Sequence, residues 1–263
     1  MVDRILGGVR FLGHSTVRIE IGGRVVLTDP VLTGWVGPLV RVVPPLGPGD
    51  WAGVDLVLVS HLHGDHLHLP SLRLVADARI VVPKGAGAWL RGKGFGRVEE
   101  LGVGQQLVDG DLTVTATYAE HSGHRWGPRL THGPDAPAVG HLLEGGGRRV
   151  YVAGDTDLFP GMAELGPVDV AFLPVWGWGL TLGPGHLDPQ RAARAVELIR
   201  PKVSVPVHWG TLAPVGLANA PGRVGARMRR LLTEPGHEFA AAARGTQVVV
   251  TRPGTEVPLR QGA

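Results

Sequence analysis

Cysteine is absent from the 263 residues. No disulfide framework can form, nothing points to an oxidising compartment, and no thiolate is on offer to a metal. Charge of one sign is scarce as well: 26 Lys and Arg against 23 Asp and Glu leave a net +3, and the pI of about 9.8 comes mainly from arginine. A nucleic-acid binder would show concentrated basic stripes. The densest stretch, residues 223–230, fits one face of a helix with Val224, Met228 and Leu231 on the other, so nucleic acid is not an expected partner. Uninterrupted apolar runs are missing too. Residues 170–187 carry no formal charge and nominally reach the length of a membrane span, but Pro174, Pro184 and four glycines interrupt them. A strand followed by a loop is the expectation there, not a spanning helix. The first eight residues show no long apolar core and no cleavage signature, which makes the expected location cytoplasmic. No sequence repeat and no linker divides the chain, so a single domain over residues 1–263 is expected.

What is present is a globular composition. Hydrophobic residues make up 43%, enough for a sizeable core, and 41 Gly with 22 Pro imply many turns between short elements. Strand-type runs at 17–21 and 24–28 flank Gly22-Gly23, a two-residue hairpin signal. Residues 54–60 form a near-continuous apolar run of the kind buried on both faces. A short helix is expected at 70–76 and a strand at 79–83. Hairpins follow at 105–109 with 112–118 and at 138–144 with 148–153, then buried strands at 168–174 and 203–207. Asp188 caps a helix with Pro189 at its first position, ending at Ile199 before Pro201. A second amphipathic helix is expected over 221–232, stopped by Pro235-Gly236. The pattern reads as an α/β fold.

Four of the 12 histidines fall within residues 61–68, in the segment His61-Leu62-His63-Gly64-Asp65-His66-Leu67-His68. Imidazole and carboxylate together are ligands for a divalent metal. His61 and His63, two apart, point the same way in an extended loop. Gly64 supplies a bend that turns Asp65 and His66 toward a neighbouring position, so one loop can feed two metals roughly 3.5–4 Å apart. His121, Asp155 and His208 lie, like this loop, just past the C-terminal ends of expected strands, where α/β folds converge their sites. Each of the three taken alone reads as a turn or packed residue and gains weight from the loop. His68, His124, His132, His141 and His237 read as exposed, supporting or structural.

The pattern His-x-His-x-Asp-His, a distant His, Gly-Asp-Thr and a late His resembles the metallo-β-lactamase superfamily over nearly the whole chain. Gly13-His14-Ser15-Thr16, Leu27-Thr28-Asp29-Pro30, Gly154-Asp155-Thr156, Gly185-His186-Leu187-Asp188-Pro189 and Val207-His208-Trp209-Gly210-Thr211 are similar to one branch. That branch holds the ascorbate-6-phosphate lactonases and the N-acylphosphatidylethanolamine-hydrolysing phospholipase D. The resemblance implies a four-layer αββα sandwich, two mixed sheets flanked by helices, with a dinuclear site at one edge. It implies His61, His63 and His121 on the first metal, and Asp65, His66 and His208 on the second, with Asp155 bridging. His186 matches a histidine near the substrate, and His14 a residue that is either structural or catalytic. The chain lacks the long N-terminal extension of the animal phospholipase and has no Cys, which counts against a phospholipid substrate.

Two cations sharing Asp155 would share a water and lower its pKa, giving a hydroxide that attacks a phosphorus or carbonyl carbon. Asp65 is placed to hold that nucleophile and accept its proton, and His186 to protonate the leaving group. The expected function is a metal-dependent hydrolase of the phosphodiesterase or lactonase type, acting on a small-molecule or lipid-like ester. Zinc fits the His-rich set best; manganese and iron also accept these ligands. Residues 31–48, with Trp35, Val36, Leu39, Val40, Val42 and Val43, read as a packed lid or oligomer contact, or as a gate for a lipid substrate. Trp176 and Trp178 are candidates for the opposite wall. The sequence leaves room for peripheral lipid contact through 31–48 and for a homo-oligomer. The alternatives are a metal-dependent nuclease, which would want a basic surface, and a non-catalytic metal-binding module, from which at least one ligand would be expected to be lost.

Overall fold

Period-two alternation of apolar residues builds two seven-stranded sheets whose inner faces meet. The computed structural model describes residues 7–125 and 133–258. Its strands are β1 (Val9–Gly13), β2 (Thr16–Ile21), β3 (Arg24–Thr28), β4 (Trp35–Val36), β5 (Leu39–Arg41), β6 (Leu56–Leu58), β7 (Arg79–Pro83), β8 (Val98–Leu101) and β9 (Gln106–Asp109). They continue with β10 (Leu112–Tyr118), β11 (Val139–Gly145), β12 (Arg148–Val152), β13 (Val170–Pro174), β14 (Val203–Val207), β15 (Leu212–Pro214), β16 (Gln247–Val248) and β17 (Thr255–Glu256). The helices are α1 (Leu69–Leu74), α2 (Gly87–Arg91), α3 (Met162–Leu165), α4 (Pro189–Ile199), α5 (Gly222–Thr233) and α6 (Pro235–Ala242).

The first sheet runs β17-β1-β2-β3-β6-β7-β8 and the second β16-β14-β13-β12-β11-β10-β9. Each is mixed. Hairpins β2–β3, β9–β10 and β11–β12 are antiparallel, whereas β3–β6–β7–β8 and β12–β13–β14 are parallel.

Three apolar layers account for the sandwich. Between the sheets lie Leu56, Leu58, Val114, Val150, Phe172 and Val205 with their neighbours. The alternate residues of the same strands face outward. Val57 and Ile80 meet Leu72 of α1 and Leu90 of α2, while Ala171 and Leu173 meet Val196 and Ile199 of α4 and Phe239 of α6. A strand buried on both faces needs apolar residues at every position, which is why residues 56–58 read as one run. The result is the four-layer αββα arrangement.

Several expected boundaries move. The run at 54–60 pairs only over Leu56–Leu58, because its end turns into the histidine loop. The stop at Pro235-Gly236 instead opens α6; Gly236 lies so close to the Trp209 ring that a Cβ would stand 2.3 Å from Cζ2. In α5 the buried face is Gly225 and Met228, whereas Val224 is 50% exposed instead of packed. Residues 31–48 are no free loop: β4 and β5 form a hairpin that joins β15 in a three-stranded sheet, with Val31, Val36, Leu39 and Leu212 as its core. His132 lies outside the described residues. No described helix is long and apolar enough to cross a membrane.

Candidate metal centre

Parallel strands that end on one side of each sheet bring the expected residues together. The loop after β6 carries His61, His63, Asp65 and His66; its turn is closed by His66 N–H and Leu67 N–H donating to the His63 carbonyl. Asp155 follows β12 and His208 follows β14, while His121 and His186 come from longer connections. The donor atoms of His61, His63 and His121 lie within 4.8 Å of one another, as do those of His14, Asp65, His66 and His208. Asp155 lies between these groups. Its Oδ2 is 3.3 Å from His66 Nε2 and 4.0 Å from His121 Nε2, and its Oδ1 is 3.2 Å from His208 Nε2.

The outer ring nitrogens fix the inner ones. His121 Nδ1 donates to the Gly185 carbonyl at 2.7 Å and His208 Nδ1 to that of Trp176 at 2.6 Å. His66 Nδ1 donates to Asp29 Oδ2 at 2.8 Å. His61 Nδ1 donates to Ser60 Oγ at 2.9 Å, and Ser60 Oγ in turn donates to the same Asp29 oxygen at 2.7 Å. With Nδ1 protonated, His61, His121 and His208 each aim an Nε2 lone pair inward, while His66 Nε2 faces the Asp155 carboxylate. The inward nitrogens lie close together: His66 Nε2 is 3.1 Å from His208 Nε2, and His63 Nδ1 is 3.0 Å from His61 Nε2 and 3.2 Å from His121 Nε2. Asp155 Oδ1, buried, accepts no hydrogen bond. Imidazole and carboxylate donors gathered this closely, with one buried carboxylate oxygen unpaired, fit a divalent metal.

Electrostatics agree. Burial, with neighbouring imidazoles, holds His61 far below its usual pKa, His63 at about 4 and His208 at about 3, so these rings are neutral ligands at pH 7. Burial opposes the charge of Asp155 and Asp65 too, but the surrounding histidines outweigh it and keep both carboxylates ionised. His66 and His186 go the other way. Burial disfavours their protonation, yet Asp155, joined at His66 by Asp29, raises both pKa values. His186 Nε2 is 3.4 Å from Asp155 Oδ2.

Sequence reasoning missed the role of Asp29, while His14 and Trp178, both singled out from the sequence, support Asp65. Asp29 reaches both metal groups through His66 and Ser60, and its Oδ1 also accepts the Ser60 N–H at 2.7 Å. Trp178 donates from Nε1 to Asp65 Oδ2 at 3.0 Å, and His14 Nε2 holds the same oxygen at 3.0 Å. The motif Leu27-Thr28-Asp29-Pro30 was visible as a string, but no local spacing ties Asp29 to His66. His141 and His68 are buried, as structural histidines should be; His68 Nδ1 contacts Ser71 Oγ at 2.8 Å.

A cavity of about 620 Å³ opens onto the cluster, in the size range of small-molecule sites. Its walls include Val36 and Leu39 from the β4–β5 hairpin, Trp178 and Leu182 from the loop after β13, and His186.

Comparison with known proteins accords with the geometry. Residues 24–209 match the beta-lactamase superfamily domain. A UPF0173 metal-dependent hydrolase of Pyrococcus abyssi is 34% identical over 240 residues, covering 88% of this chain and 98% of the relative. The chain belongs to the metallo-β-lactamase superfamily. Another UPF0173 metal-dependent hydrolase, from Symbiobacterium thermophilum, is 34% identical over 258 residues, 94% of this chain and 97% of that one. Among solved structures, the metallo hydrolase Igni18 of Ignicoccus hospitalis superposes with a TM-score of 0.64 at 24% identity, covering 95% of this chain and 96% of its own. That last likeness speaks for the superfamily's fold.

Proposed function

We propose that the chain is a dinuclear metallo-hydrolase that cleaves an ester-type bond, in a phosphodiester or a lactone. The observation that carries the reading is a continuous cluster of donors in which His61, His63 and His121 gather at one end and Asp65, His66 and His208 at the other, with the Asp155 carboxylate within reach of both. In this reading His61, His63 and His121 would hold one ion and Asp65, His66 and His208 the other, with the Asp155 carboxylate available to both. Zinc suits this donor set. Two bound cations would supply a water of lowered pKa and a charge to stabilise the developing oxyanion.

The chain's own residues do the rest. Asp65, ionised and held by His14 and Trp178, keeps an oxygen facing the cavity that can accept a proton from the attacking water. His186, partly exposed at the cavity with Nε2 3.4 Å from Asp155 Oδ2 and a pKa raised by that carboxylate, is placed to give a proton to the leaving oxygen. Val36 and Leu39 present an apolar wall on one side of the cavity.

The test is metal content by elemental analysis together with hydrolysis of a bis-aryl phosphodiester and an aryl-substituted lactone, before and after chelation. About two ions per chain and chelator-sensitive turnover of either substrate are expected. His208→Ala and Asp65→Asn should fall by about 10³-fold or more in kcat while retaining the native circular dichroism. Turnover that persists in either variant after its metal content has been verified would sink the dinuclear reading.

A further inference from the structure

The reactive cavity has one feature that hydrolysis does not use. Among its described lining residues Arg125 is the only arginine or lysine. The guanidinium is half-buried and held by three contacts. It lies 5.1 Å from the centre of the Trp89 ring, and its Nη1 donates to the Leu62 carbonyl at 2.9 Å and the Leu67 carbonyl at 2.8 Å. None of the ion pairs among the described residues includes it, and the neighbouring segment 126–132 contains no Asp or Glu. The Asp65 carboxylate attracts this cation, but burial outweighs that attraction, so the half-buried guanidinium is left undercompensated.

From these observations we infer that Arg125 recognises an oxyanion on the substrate, a carboxylate or phosphate distinct from the bond that is cut. The rest of the substrate is apolar, because Val36, Leu39, Leu182 and Trp178 offer hydrocarbon and indole surface across the same cavity. The substrate class is then an amphiphilic anion: an acidic head on Arg125, a short apolar body on these walls, and an ester-type bond at the metal cluster. This assignment deepens the hydrolase reading and rests on it for the reacting bond. Guanidinium suits the role because it stays charged on burial and meets oxyanions through two parallel donors.

The same contacts also tie Arg125 to both ends of the histidine loop, so a bracing role has to be separated from recognition. The probes are 4-phenylbutyrate, 3-phenylpropylphosphonate and the neutral 4-phenylbutyramide, with binding measured by calorimetry on the full chain. Each is titrated into metal-loaded and chelated protein. Chelated wild type should bind at least one of the anions about tenfold or more tightly than the amide, and the tighter anion names the oxyanion. Arg125→Gln should reduce that preference to about twofold or less, with metal content unchanged, and Arg125→Lys should restore part of it. An anion preference that is absent from the wild type, or that survives in Arg125→Gln, overturns the proposal. Equal loss of amide and anion binding, accompanied by loss of metal, leaves Arg125 as a brace alone and also overturns it. Hydrolysis is assayed separately, so a protein without turnover would remove the hydrolase reading while the ligand pair in chelated protein still reports on Arg125.

Discussion

Four described non-glycine residues adopt positive φ, and three of them belong to the site: His14 at 54°, Asp29 at 35° and His208 at 62°. Such conformations cost of order 1–3 kcal/mol each and persist only where neighbours over-determine them. Here they do. His14 N–H is held by Thr211 Oγ1 and His14 O by His208 N–H, while Thr16 Oγ1 grips the Asp29 carbonyl. The short strings around these residues therefore interlock in space, which one sequence does not reveal. His61, His63, Asp65 and His66 were legible because one loop holds them. Asp29 was not, because an Asp before Pro reads as a turn and its partners Ser60 and His66 are 31 and 37 positions away. Its contribution is testable. Asp29→Ala removes the acceptor that orients His66 directly and His61 through Ser60, so metal affinity should fall by about 10–100-fold. The check is competition against a chromogenic chelator, with Ser60→Ala as the milder comparison. An unchanged affinity in Asp29→Ala would show that the rings are held by packing alone.

Elements were legible where their own residues decide them. Alternation and β-branching marked β2, β3, β10 and β14, and Asp188 with Pro189 marked the start of α4. Two-residue strands such as β4, β16 and β17 exist only because a partner edge is present, and no local pattern announces that. The two ends of α4 give predictions of opposite sign. Asp188 accepts the Arg191 N–H at 2.8 Å, so Asp188→Ala should lower stability by about 1 kcal/mol. Arg200, at the other end, is left-handed with φ 54° and ψ 54° and precedes Pro201, a conformation that glycine adopts without a Cβ penalty. Arg200→Gly should therefore raise stability by about 0.5–1 kcal/mol. Urea midpoints at pH 7.5 for the two variants should move in opposite directions. A drop for Arg200→Gly would mean that the arginine side chain makes a contact worth more than the backbone relief.

At the scale of the whole molecule, four layers bring strand ends from both sheets to one rim, and a cluster of largely buried histidines gathers there. That burial makes stability depend on pH in a direction that can be worked out. His61, His63, His68, His141 and His208 all have depressed pKa values in the folded chain, in each case with burial as the largest cause. Between the folded value and the unfolded value near 6.5, the unfolded chain binds the proton that the native chain refuses. Stability must then fall as pH drops from about 6.5 toward 4, and these groups add no slope above that window. His66 and His186, whose pKa values are raised, contribute the opposite sign: their stabilisation is fully present below 6.5 and is lost as pH rises through the folded value. His141 isolates the first effect, because it lies on β11, is 2% exposed, leaves Nε2 without a hydrogen-bond partner and belongs to neither metal group. With a folded pKa of about 4, it accounts for about 3 kcal/mol of acid destabilisation. In chelated protein, His141→Leu should leave stability at pH 4.5 closer to its value at pH 7.5 than wild type does, with the slope reduced by about one proton. Urea unfolding at half-unit steps between pH 4.5 and 7.5 measures this directly. Parallel curves for the two proteins would mean that His141 already carries a proton in the folded core, and that the acid sensitivity of the fold resides in the metal cluster alone.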